Sequence, residues 1–227
     1  MSLILNIDTA EKTASVCIAR DGNTVQFAEN EDQKDHALWL HIAISKLMRQ
    51  EKTSFSELNA VAVSIGPGSY TGLRVGLSAA KGLCFALNIP LITVGTLEMM
   101  AFAAKDEPVD LLCPMIDARR LEVFTAIFDM EMAIVMKPQA LIVAANSFEQ
   151  FYLKNKSLFF GSGSKKMQSL IPDKLWPKTV IFKEIIINAS CMTLYSYNKL
   201  SSNTFANLVN SEPSYLKEFY TNTPKIS

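Results

Sequence analysis

The chain has 227 residues, 49% of them apolar and only 19% charged, with 22 basic residues balanced by 22 acidic ones. That length can bury one large or two small cores, and a neutral chain of pI near 6.7 lacks the basic footprint of a stand-alone nucleic-acid binder. A surface poorer in charge than the roughly 25% usual in globular domains predicts that part of it is covered by a partner.

Met1 to Ile7 has no basic start, and its short apolar run ends at Asp8, unlike a signal peptide. The long uncharged stretch between Lys81 and Glu98 is interrupted by Asn88-Ile89-Pro90, too early for a membrane span. A soluble, cytoplasmic protein is expected. Cys17, Cys84, Cys113 and Cys191 lie far apart among apolar neighbours and form no CxxC pair, so they are read as buried reduced thiols.

The apolar runs at residues 3–7, 14–19 and 24–28, with Asp21-Gly22 as a turn, predict a three-stranded antiparallel meander. A helix follows from about Asp35, its expected N-cap, to Gln50. Residues 58–65 read as a buried strand ending at Gly66-Pro67-Gly68, then come a helix from about Ser69 to Leu87, a strand at 90–94, and a helix capped by Thr96 and running through Ala104. Beyond the polar link at 105–108 the opening recurs. Leu111 to Asp117 and Glu122 to Asp129 repeat the strand, Asp and strand of residues 3–21, with Ile116-Asp117 in the place of Ile7-Asp8. The repeat predicts two similar α/β domains joined near residue 106. Further on, residues 158–160 enter a glycine turn at Gly161-Ser162-Gly163-Ser164, residues 180–182 read as a short strand and Ala189 to Leu200 as a helix. Pro213 to Leu216 reads as an extended apolar anchor.

The run from Gly66 to Gly76 lies between strand and helix, where backbone amides can cradle a phosphate. It nevertheless fails both nucleotide templates: Thr71 stands where the dinucleotide fingerprint needs glycine, and no Gly-Lys-Ser/Thr closes a P-loop. Gly68, Gly72, Gly76 and Ala80 fall four apart, leaving one helical ridge almost without side chains. Because each helix-interior glycine costs about 1 kcal/mol relative to alanine, the ridge predicts close approach by another backbone, read as a partner's. On the preceding helix, Ala37, Leu40, Ala43, Ile44, Leu47 and Met48 form the face expected to bind its own sheet. Leu38, Trp39 and Ile42 lie on the other side, either as the centre of an interface or folded back on their own domain.

His36 and His41 are about 140° apart on a helix and cannot share a metal, and no HExxH motif occurs. Asp8 and Asp117, each ending a first strand, with Gly161 nearby, are candidates for a magnesium and phosphate cleft between the halves. Against this, the residues after Asp8 lack the glycines such loops use, which favours turn capping for both carboxylates.

Ile7-Asp8-Thr9, His36-Ala37, the stretch Gly66 to Gly76 with Lys81-Gly82-Leu83, Pro90-Leu91, Leu97-Glu98 and Asp117-Ala118-Arg119 with Glu122-Val123-Phe124 together resemble the bacterial TsaB (YeaZ) family. The resemblance implies an α/β fold of two duplicated RNase H-like domains, the actin-like and Hsp70-like (ASKHA) architecture. These would be an N-terminal partner-binding domain, 1–105, and a C-terminal domain, 106–227, whose last residues pack back on the first. It implies a non-catalytic scaffold, without a cofactor, in the formation of N6-threonylcarbamoyladenosine at position 37 of tRNAs reading codons that begin with adenine. In that family TsaD carries the metal and transfers the group, TsaE completes the complex, and tRNA is met only through the complex. The scaffold contacts TsaD, or a second copy of itself, through its first two helices, here residues 35–50 and 69–87. The expected interface is therefore Leu38, Trp39, Ile42, Gly68, Tyr70, Gly72, Leu73, Gly76 and Ala80. His36-Ala37 departs from the family's usual His-Ser, and Tyr70 stands where Phe is more common. The alternatives are an ATPase or phosphotransferase at Asp8, Asp117 and Gly161, and a glycoprotease-type peptidase, which the missing histidine pair disfavours.

Overall fold

In the computed structural model, which describes residues 1–31 and 36–217, the first half is built around β1 (Leu3–Asp8), a strand buried along its whole length. A strand apolar on both faces suits the middle of a covered sheet. β1 pairs antiparallel with β2 (Ala14–Arg20) and parallel with β4 (Ala60–Gly66). β3 (Asn23–Asn30) completes the meander and β5 (Leu91–Gly95) adds a parallel edge, giving the order β3-β2-β1-β4-β5. The β2–β3 connection is the expected Asp21-Gly22 turn, both residues with positive φ.

The second sheet repeats this plan. β6 (Leu111–Asp117) lies between antiparallel β7 (Glu122–Asp129) and parallel β9 (Ser157–Phe160), with β8 (Ile134–Ile142) and β10 (Val180–Phe182) outermost, so the order is β8-β7-β6-β9-β10. β8 has no counterpart in the sequence reading. It is an exposed edge strand interrupted by Lys137-Pro138, so it lacks the clean alternation that marks a half-buried strand.

α1 (His36–Gln50) and α2 (Tyr70–Leu87) cover the face of the first sheet to which Leu3, Leu5 and Ile7 point. Leu40, Ala43, Ile44, Leu47 and Met48 of α1 are buried there as expected. Ala37 is exposed instead, and His36 takes the buried position, its Nε2 3.1 Å from the Lys12 carbonyl. The expected cap Asp35 lies outside the described residues. The counterparts of α1 and α2 in the second half are single turns, α4 (Glu149–Tyr152) and α5 (Ser164–Gln168). Aromatic side chains fill the space instead: Phe148, Tyr152, Phe159, Trp176 and Phe182 form a run of tilted and edge-on ring contacts.

The remaining helices join the halves. α3 (Thr96–Ala103) follows β5, yet Leu97, Met100 and Ala101 pack into the second sheet's core with Leu112, Ile116 and Phe160. Its N-cap is Gly95 rather than Thr96, whose buried hydroxyl has no hydrogen-bond partner among the described residues. α6 (Thr193–Ser201), preceded by a 3-10 turn at Ala189–Met192, covers the other face of the first sheet. There Ser196 donates to Asn6 Oδ1 (2.7 Å), Ala189 N donates to Ser15 Oγ (2.8 Å), and Tyr195 OH donates to Glu98 Oε1 on α3 (2.6 Å). The chain then returns along the first half. Ala206 pairs with Leu91 at the free edge of β5, and Ser214 N donates to the Ile65 carbonyl (2.7 Å). Among the described residues no helix is long and apolar enough to cross a membrane.

Candidate functional site

The glycine ridge of α2 meets a backbone as predicted, but the backbone is the chain's own. A Cβ on Gly68 would overlap the Ala10 carbonyl oxygen, one on Gly72 the Thr9 carbonyl oxygen, and one on Gly76 the Thr9 hydroxyl. The β1–β2 loop is drawn into the ridge, with Thr9 Oγ1 donating to the Gly72 carbonyl (2.7 Å) and Ser69 N donating to the Ala10 carbonyl (2.6 Å). This corrects the expected interface: Gly72, Leu73, Gly76 and Ala80 are buried inside the first half, and Gly68 lies against Ala10. It also removes the phosphate cradle. The amide of Ser69 is taken by Ala10, and that of Gly72 is capped by Ser69 Oγ (3.3 Å), leaving these amides no vacancy for an anion.

Tyr70 is half-buried and stacks on Tyr215 of the returning segment with ring centroids 4.9 Å apart. The Arg74 guanidinium lies 4.0 Å from the Tyr70 ring centre, and its Nε donates to Tyr215 OH (2.9 Å). Of the α1 residues singled out, Trp39 is half-buried against its own core, while Leu38 and Ile42 are 67% and 57% exposed one turn apart. On α2 the outward face carries Phe85, 81% exposed. These three are large apolar side chains turned away from the sheet their helices cover.

The ends of β1 and β6 bring the two halves together. Asp8 is buried; its Oδ1 accepts from Ser64 Oγ (2.6 Å) and from Ala10 N two residues on (3.1 Å). Burial pushes its carboxyl up against the opposing effect of those bonds. Asp117, its counterpart, makes the same turn bond with Arg119 N (2.6 Å) but is exposed and paired with Lys166 (2.7 Å). Burial raises its carboxyl, and the Lys166 ammonium with the Arg119 amide outweighs that and holds it below the ordinary range. Both carboxylates thus cap turns. Between them lies Glu11, whose carboxyl burial pushes up; a hydrogen bond from Ser162 opposes the shift, and Asp8 and Asp117 add to it. The Ser162 hydroxyl also accepts from Asp117 N (3.0 Å), so one side chain of the second half ties both loops.

Gly161 sits beside this cleft, but its work is internal. With φ of +91° it lets the chain turn against the Met115 carbonyl, as Gly66, with φ of +118°, does against Ser214. The structure exposes a repeat that the sequence reading passed over: Gly66-Pro67-Gly68-Ser69 after β4 and Gly161-Ser162-Gly163-Ser164 after β9 do one job twice. In each, the second glycine lies against backbone at the end of the first strand of its sheet, Ala10 just past β1 and Ile116 near the end of β6. Glycine and serine at one spacing after the second parallel strand of each half would have found it. Neither of two surface hollows, of about 510 and 440 Å³, is lined by Asp8, Asp117 or Gly161. Among the described residues no group of three His, Cys, Asp or Glu is placed to hold a metal ion. His36 and His41 do not converge, one being buried and the other exposed.

Residues 29–203 match the family described as "TsaD: tRNA N6-adenosine threonylcarbamoyltransferase". The "tRNA threonylcarbamoyladenosine biosynthesis protein TsaB" of Bacillus subtilis is 30% identical over 182 residues, 78% of this chain and 79% of that one. A solved Pseudomonas aeruginosa protein, described as similar to peptidase YEAZ, has a TM-score of 0.78 at 22% identity over 96% of this chain and 100% of its own. The activator of the 2-hydroxyisocaproyl-CoA dehydratase from Clostridium difficile, solved with ADPNP, has a TM-score of 0.56 at 7% identity, covering 88% of this chain and 96% of its own. These structural likenesses show the fold, two actin-like halves, and nothing of the activity.

Proposed function

The chain belongs to the TsaB (YeaZ) family of tRNA threonylcarbamoyladenosine biosynthesis proteins, and on that premise we propose that it is the non-catalytic subunit that assembles with and supports the threonylcarbamoyltransferase, TsaD. The observation that carries this is the outward face of the helical layer, where Leu38, Ile42 and Phe85 are exposed with no structural duty in the chain. Burying an exposed leucine or isoleucine is worth about 1.5–3 kcal/mol each, and large apolar side chains are what the centre of a stable interface uses. The matched family description names the transferase itself. An accessory role is favoured by the loops at Asp8 and Asp117: their carboxylates cap turns, Glu11 lies between them, and the two histidines are too far apart in orientation to serve one metal. The described residues do not fit a transferase metal centre.

In this reading tRNA and TsaE are met through the assembled complex, and a second copy of the chain competes for the same face. Co-expression with the transferase tests it. Leu38→Glu combined with Ile42→Glu is expected to abolish co-elution and the formation of the modified nucleoside while leaving the melting temperature of the isolated chain unchanged. Co-elution that survives the double substitution would overturn the assignment of the face. Mg-ATP binding by the chain alone that disappears in Asp8→Ala would overturn the accessory role in favour of an ATPase.

A further inference from the structure

The turn joining β6 to β7 has features that neither the fold nor the proposed assembly uses. Arg119 and Arg120 both have left-handed backbone, with φ of 67° and 49°, a conformation that side-chain-bearing residues other than Asn and Asp avoid. The turn is fixed by its own bonds: Arg119 N to Asp117 Oδ1 (2.6 Å), Ala118 N to the Glu122 carbonyl (3.1 Å) and Glu122 N to the Arg119 carbonyl (3.1 Å). The acids around it are engaged. Asp117 pairs with Lys166, Glu122 with Lys217, and Glu11 is held by Ser162. Among the described residues neither arginine side chain has a hydrogen bond or an ion pair, and Lys12, on the facing β1–β2 loop, is close enough to act on Asp117. The lip where the two halves meet therefore presents Lys12 from the first half beside Arg119 and Arg120 from the second, and the two arginines carry no ion pair among the described residues.

We propose that the Arg119–Arg120 turn contacts the phosphodiester backbone of an RNA laid across this lip, an inference that rests on the reading that the chain serves tRNA modification. Guanidinium forks match phosphate oxygens bidentately. Cations spread over loops of both halves suit an extended polyanion better than a single carboxylate.

The test uses the full chain assembled with the transferase, an unmodified tRNA transcript as probe, and affinity measured across a salt series. Arg119→Asn with Arg120→Gly removes both charges while supplying residues at ease in left-handed backbone, so folding is protected. The isolated variant is expected to melt roughly 2–4 °C higher. The complex is expected to bind the transcript roughly tenfold more weakly, its salt dependence flattened by about 1.5 logarithmic units per decade. Lys178→Gln, remote from the lip, is expected to change neither. Unchanged affinity and slope in an assembled complex would overturn the inference while leaving the scaffold reading intact. Loss of the protein complex in the arginine variant would overturn it in favour of an acidic protein contact. Failure of the wild-type chain to assemble with the transferase would instead overturn the scaffold reading.

Discussion

Alanine at Gly72 and at Gly82 is the same substitution on the same helix, and the structure gives the two changes opposite signs. At Gly82 an added Cβ meets nothing within 4 Å, so the expected effect is the helix-propensity gain of about 1 kcal/mol, or roughly 2–4 °C in melting temperature for a chain of this size. At Gly72 the same gain is opposed by overlap with the Thr9 carbonyl oxygen, a backbone atom in a loop held by the Thr9 hydroxyl on the Gly72 carbonyl and by Ser69 N on Ala10. Overpacking of this kind costs about 1–3 kcal/mol. Displacing the loop also strains hydrogen bonds worth about 1 kcal/mol each. The net expectation for Gly72→Ala is a loss of about 1–3 kcal/mol, seen as a lower midpoint in thermal or urea unfolding. Equal shifts of the two variants in one direction, or a stabilised Gly72→Ala, would refute the assignment of the ridge to the β1–β2 loop. By the same reasoning Gly76→Leu disrupts the first half itself, so loss of partner binding in that variant would say nothing about the interface.

Two further outcomes follow from the cleft and the returning segment. Asp8 and Glu11 have carboxyls raised above their ordinary values of 3.8 and 4.5, so the folded state binds more protons than the unfolded one. Their contribution is fully present below those values and is lost as the pH rises through the raised ones. Asp8→Asn keeps an oxygen for Ser64 and Ala10, so the stability of this variant relative to wild type should grow as the pH climbs from acid to neutral; a pH-independent difference would contradict the burial argument. Tyr215→Ala removes the stack on Tyr70 and the hydrogen bond from Arg74. It should cost about 1–2 kcal/mol and speed amide exchange at Ser214, whose bond to Ile65 the stack protects; unchanged exchange would show that the segment is anchored elsewhere.

The strands of the first half were legible because their cues are local: an apolar run, Asp-Gly, another run, then glycine after a buried strand. The duplication was legible from Ile7-Asp8 and Ile116-Asp117, and it extends to the full strand order of both sheets. β8 and the one-turn helices α4 and α5 were not legible. An edge strand broken by proline and helices of four or five residues carry too little periodicity to register.

The sequence by itself determined that Gly68, Gly72 and Gly76 must admit a backbone at close range, because spacing and helix propensity are properties of the chain alone. Whose backbone it is, only the tertiary structure decided. Thr9 and Ala10 are some sixty residues away, and the pairing of β1 with β4 swings their loop onto α2. The same distinction separates Leu73 from Leu38. Both are apolar positions on helices, and only the direction of the sheet makes the first core and leaves the second exposed.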